Sequence, residues 1–76
     1  MFEINEKEKT VVYSERWSIE DVKCIHYISD FFTDYLSNDE YFIILKNAVE
    51  TAEFWDQNLT DLMIENTIKT YIEENY

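Results

Sequence analysis

The sequence predicts an α+β fold: a short β-hairpin over residues 1–17, then a helix-dominated bundle of three helices over residues 18–76. Three observations predict it. Two short runs of alternating apolarity flank a polar segment near the start. Two Ser-x-x-acid signatures, at Ser18 to Asp21 and Ser37 to Glu40, mark helix beginnings. Apolar residues at helical spacing follow each of them. The chain has 76 residues, enough for one small domain.

The hairpin comes first. Phe2 and Ile4 alternate with Glu3, and Val11 and Tyr13 with Val12. The polar stretch of residues 5–9 reads as the loop between two strands. An isolated two-stranded hairpin is barely stable in water, so its Phe2/Ile4/Val11/Tyr13 face is expected on the helices.

In the first helix Ser18 serves as N-cap and Asp21 as the N3 acid. Trp17 and Val22 stand at the positions of a hydrophobic staple. Val22, Ile25, Ile28, Phe32 and Leu36 then recur at helical spacing, widened by Phe31 and Tyr35. Ser37 and Glu40 repeat the device, with Leu36 and Tyr41 as staple. The second helix is expected to bury Phe42, Leu45, Val49 and Ala52, with Ile44, Ala48 and Trp55 alongside. Its exposed side carries Lys46, Asn47, Glu50 and Glu53. A third helix starts at Asp56 or Asn58 and runs to about Glu74. Leu59, Leu62 and Met63 lie on one side of it, and Ile64, Ile68, Tyr71 and Ile72 on nearly the opposite side. Either the helix is buried on two sides, or it breaks near Met63 and Ile64; two apolar faces in so small a chain point to one face meeting a second molecule, a hydrophobic partner or a second copy in a homodimer through Ile64, Ile68 and Ile72. Connections of two to four residues are expected.

Gly and Pro are both absent, where average usage would give about nine together. Every turn must therefore be made by Asn, Asp, Ser or Lys. The residue usage also fits an AT-rich coding sequence, as in low-GC bacteria and their viruses. With one cysteine no intrachain disulfide can form. No charged segment followed by an apolar run marks a signal peptide, and the apolar run at residues 41–45 is far too short to span a membrane. These features point to the cytoplasm of the producing or infected cell.

The charge is distributed unevenly. Seventeen acids oppose six bases, a net of −11. Residues 1–23 hold six acids and four bases; residues 24–76 hold eleven acids and two bases. The excess rides on the helical part. Asp30 with Asp34, Asp61 with Glu65, and Glu50 with Glu53 are spaced as neighbours on a helix, and Asp56 continues the last row. Each like-charge pair costs about 0.2–0.5 kcal/mol, against a total stability of ~4–11 kcal/mol for a domain of this length. One reading is a solvated acidic surface. The other is that rows of carboxylates imitate the phosphates that basic grooves grip. On the second reading the binding residues are Asp30, Asp34, Asp39, Glu40, Glu50, Glu53, Asp56, Asp61 and Glu65. The partner is then a basic nucleic-acid-binding protein, with no direct contact to nucleic acid or membrane.

Catalytic and metal chemistry find no support. Asp56 to Asp61 begins like a calcium loop, but Asp61 stands where Gly is required and Thr67 where the bidentate Glu belongs. Cys24 and His26 have no second pair for zinc. Cys24 reads as a small core residue and His26 as a rim residue. No nucleophile–base set can be assembled. No cofactor is implied. The aromatics lack the Lys and Arg that accompany them in base-stacking platforms. Phe54 and Trp55, adjacent on one helix, cannot both enter the core, so one is a candidate interface anchor. In composition alone the chain is similar in kind to viral proteins that inhibit host nucleases by imitating nucleic acid. That suggests an anti-CRISPR or anti-restriction role. The alternative is a helical interaction module, such as an immunity protein, antitoxin or adaptor, that binds through an apolar face.

Overall fold

The computed structural model describes residues 2–32 and 35–76. Its elements are β1 (Glu3–Asn5), β2 (Thr10–Tyr13), β3 (Glu15–Ser18), α1 (Ile19–Tyr27), α2 (Asn38–Phe54) and α3 (Asp61–Asn75). The fold is α+β and helix-dominated, with an antiparallel sheet in the order β1-β2-β3. The third strand extends the expected hairpin. Residues 15–18 carry a single apolar side chain, Trp17, and read on their own as the approach to a helix. Pairing with β2 makes them a strand.

The register sets the faces of the sheet. Val11 lies opposite Trp17, and both are buried against the helices. Glu3, Val12 and Arg16 form the next row and face water. Ile4 pairs with Val11 but sits on the edge strand and remains exposed. The turns confirm the Gly-free requirement. Lys9, Ser14 and Asp56 adopt left-handed backbone, with φ of 55°, 65° and 53°, the region that glycine occupies most easily. Asn5 Oδ1 accepts the Glu8 N–H at 2.9 Å and shapes the first loop.

Both cap signatures operate. Ser18 N–H donates to Asp21 Oδ2 at 2.9 Å. Ser37 N–H donates to Glu40 Oε1 at 2.9 Å, and Glu40 N–H to Ser37 Oγ at 3.1 Å. The lengths differ from expectation. α1 stops at Tyr27, so Ile28 is not a core position and is 74% exposed. The cause is local. Ser29 turns both its N–H and its hydroxyl onto the His26 carbonyl, at 3.1 and 2.7 Å, and this competes with helix continuation. The chain then doubles back, placing the rings of Phe31 and Phe32 against His26. The expected two- to four-residue connections are instead residues 28–37 and 55–60.

α3 starts later than Asp56 or Asn58. Thr60 is its N-cap and accepts the Met63 N–H at 3.2 Å. Its two-faced pattern resolves within the chain. Ile64 and Ile68 are fully buried, Tyr71 and Ile72 pack partly against the same core, and Leu62 is 65% exposed. The stripe expected to join two copies therefore fills the domain's own core. Buried Leu59 belongs to the loop before the helix. Tyr13 seals that loop by donating its hydroxyl to the Gln57 carbonyl at 2.6 Å.

α2 and α3 run antiparallel. Tyr71, late in α3, and Tyr76, its C-cap, donate hydroxyl hydrogen bonds to Glu40 Oε2 at the start of α2. No helix among the described residues is long and apolar enough to cross a membrane.

Candidate interaction surface

Four of the six bases are held in ion pairs. Lys9 pairs with Asp39 at 3.0 Å and Arg16 with Glu8 at 2.9 Å. Lys23 pairs with Glu20 at 3.5 Å and Lys46 with Glu6 at 3.9 Å. Lys9 and Lys46 also flank the Phe42 ring, 5.3 and 4.6 Å from its centroid. Their ammonium groups lie at the seam between sheet and α2, where each gains from an acid and from the ring face. Among the described residues no ion pair reaches Glu50, Asp56, Asp61, Glu65, Glu73 or Glu74.

The nine acids named from sequence separate on this geometry. Glu50 and Asp61 stand exposed on α2 and α3, and Glu65 is half-buried. Glu53, expected exposed, is also half-buried. Asp56 lies beyond the end of α2, so the row from Glu50 and Glu53 does not continue onto it as a helical neighbour. Asp30 is exposed in the turn after α1, and helical spacing does not apply to it; Asp34 lies outside the described residues. Asp39 is held by Lys9. Glu40 is occupied by Ser37, Tyr71 and Tyr76. These bonds, led by the Ser37 N–H, hold its carboxyl below the usual range.

Cys24 and His26 exchange their expected places. Cys24 is exposed, whereas His26 is fully buried. His26 follows Val22 by one helical turn on the buried face of α1 and meets Tyr41, Phe31 and Phe32. Burial pushes the His26 pKa down. Among the described residues no three His, Cys, Asp or Glu side chains gather into a metal site.

Phe54 and Trp55 both stay outside the core, 77% and 63% exposed, although Trp55 was expected alongside it. Their rings meet edge to face, centroids 5.1 Å apart at 84°. They border a shallow depression of about 300 Å³ with Asn47, Glu50 and Thr51. Asn47 and Thr51 also line a larger groove of about 380 Å³ between α2 and α3, with Asn66, Thr67, Thr70 and Glu74 opposite. Sequence reasoning missed this groove. Its signal is a run of neutral polar residues, Asn66-Thr67 with Thr70 facing Asn47 with Thr51, edged by Met63, Tyr71 and Glu74.

Compared with protein-family profiles, curated proteins and solved structures, the chain matches none.

Proposed function

We propose that this chain is a non-enzymatic acidic binding protein. It inhibits a nucleic-acid-handling protein by occupying that protein's basic groove, in the manner of an anti-CRISPR or anti-restriction factor, inside the producing or infected cell. The observation that carries the reading is the segregation of charge: four of the six bases are tied to acids, and among the described residues no ion pair reaches Glu50, Asp56, Asp61, Glu65, Glu73 or Glu74. Helices fix such carboxylates at regular intervals, as a duplex fixes its phosphates. A field of that sign repels nucleic acid and draws basic surfaces.

The test is competition. Partners retained by the immobilised chain from a low-GC bacterial lysate should be basic, should elute with modest salt, and should lose their own DNA or RNA while the chain is bound. Asp30→Lys, Asp56→Asn, Asp61→Asn and Glu73→Lys together should weaken capture by more than tenfold without unfolding the domain. A partner that keeps its nucleic acid when bound would refute mimicry.

A second reading is favoured by the exposed Phe54–Trp55 pair. Aromatics left in water on a small domain are candidate anchors for a protein interface. An interaction module of this kind would tolerate the four charge changes and fail on Trp55→Ala.

A further inference from the structure

We infer that the groove between α2 and α3, with the depression at its Phe54–Trp55 end, is a docking track for an extended, arginine-containing segment of a partner protein. The inference rests on the basic-partner reading and adds where the partner is held. The two concavities share Asn47 and Thr51, so they form one continuous surface along α2. Its walls suit a peptide main chain. Among the described residues the side chains of Asn47, Asn66 and Thr70 make no hydrogen bond within the protein, and amides and hydroxyls both donate and accept. Its charge selects the occupant. Glu50 stands at one end and Glu74 lines the other, and no Lys or Arg lines either part. A phosphate backbone would find no cation there, whereas a basic side chain finds a carboxylate at both ends. The exposed rings favour Arg over Lys, because a planar guanidinium stacks on an aromatic face while pairing with a carboxylate.

The experiment uses two labelled nine-residue peptides of equal charge, one alternating Arg with Ser and the other Lys with Ser, and a labelled single-stranded DNA oligonucleotide, all at 0.15 M NaCl. Amide chemical-shift mapping on the intact chain should place the Arg peptide on residues 47–55 and 63–74. The Arg peptide should bind about two- to fivefold tighter than the Lys peptide, and Trp55→Ala should erase that preference. Thr70→Lys, an exposed groove position, should abolish groove binding while Glu20→Gln, on α1, leaves it unchanged. Shifts spread over every acidic face, equal affinity for the two peptides, or preferential binding of the oligonucleotide would overturn the docking track. So would concentration-dependent self-association lost in Thr70→Lys, which would make a second copy the occupant. None of these outcomes decides whether the partner's nucleic acid is displaced, so the track and the proposed mimicry fail separately.

Discussion

The Nδ1 nitrogen of His26 and the hydroxyl of Tyr41 lie 2.9 Å apart inside the core, and both side chains are fully buried. The Tyr41 oxygen also accepts the Leu36 N–H at 3.2 Å. With that lone pair taken, the hydroxyl proton is free to point at Nδ1, which leaves the ring proton on Nε2. Among the described residues Nε2 is buried without a hydrogen-bond partner. Rings of Phe31, Phe32 and Tyr41 surround the imidazole. The core therefore accepts the neutral ring, and the pair ties the end of α1 to the beginning of α2 across their long connection.

That arrangement gives stability a pH dependence. The folded pKa of His26 lies below its ordinary 6.5 because burial disfavours the cation. In the window between the two values the unfolded chain binds a proton that the folded chain refuses. The contribution is complete above about 6.5 and is lost as pH falls from there through the folded value. Urea midpoints should drop between pH 7.5 and 5.5 for the native sequence and stay nearly level for His26→Leu. Equal slopes for the two proteins would remove the imidazole as the cause.

Tyr41→Phe tests the other side of the pair. It leaves the Leu36 N–H and His26 Nδ1 without their partner while preserving the ring. A buried polar group left unsatisfied costs about 1–3 kcal/mol. Urea denaturation at pH 7.5 should show a loss in that range, with the helical signal of the folded state unchanged.

Much of this architecture is legible in the residues. Ser18 with Asp21 and Ser37 with Glu40 announce helix starts by local chemistry, and both operate. The buried set on α2, from Phe42 to Ala52, follows from spacing alone. What spacing cannot show is where competition ends a helix. Ile28, Phe32 and Leu36 keep the helical period, yet Ser29 caps His26 and the stripe breaks. From that one error follows the exposure of Ile28, and helical spacing no longer applies to Asp30. The assignment of Ile64 and Ile68 to an interface failed for a related reason. A period shows which residues share a face, but not which neighbour covers it. The α2–α3 groove was invisible because Asn and Thr give no periodic signal.

The α3 core assignment has a direct check. Ile68 is fully buried, and truncating such a side chain costs about 2–5 kcal/mol. Ile68→Ala should lower the urea midpoint accordingly, and Ile68→Lys should prevent folding. Leu62→Lys, on the exposed side, should stay within about 0.5 kcal/mol of the parent. Comparable losses at both positions would mean that α3 is rotated from the orientation described.

Ser14 offers a stabilising change. It separates β2 from β3 at φ 65°, where a Cβ is strained by about 1–2 kcal/mol. Glycine removes that strain but adds about 0.5–1 kcal/mol of unfolded-state entropy. Ser14→Gly should therefore gain up to about 1 kcal/mol in urea denaturation. The same change at Thr10, which sits in β2, should destabilise. A loss at Ser14 would show that its side chain contributes more to the turn than its backbone strain removes.

The segregated charge makes its own demand on the isolated protein. Within the helices Glu50 with Glu53 and Asp61 with Glu65 place like charges one turn apart, and few bases remain on that side to offset them. Added salt shortens the Debye length from about 10 Å at 0.1 M to nearly 3 Å at 1 M and weakens that repulsion. It also weakens the four ion pairs of Lys9, Arg16, Lys23 and Lys46, but exposed pairs contribute little each. With a net of −11, repulsion is the larger effect. If relief amounts to about 1 kcal/mol, a domain of this size should gain roughly 4–8 °C in melting temperature. Thermal melts from low salt to about 0.5 M NaCl measure it directly. Potassium chloride must give the same rise as sodium chloride, since screening depends on ionic strength and not on the cation. A flat or falling curve would mean that the carboxylates are already compensated, and an acidic surface poised for a basic groove would lose its physical ground.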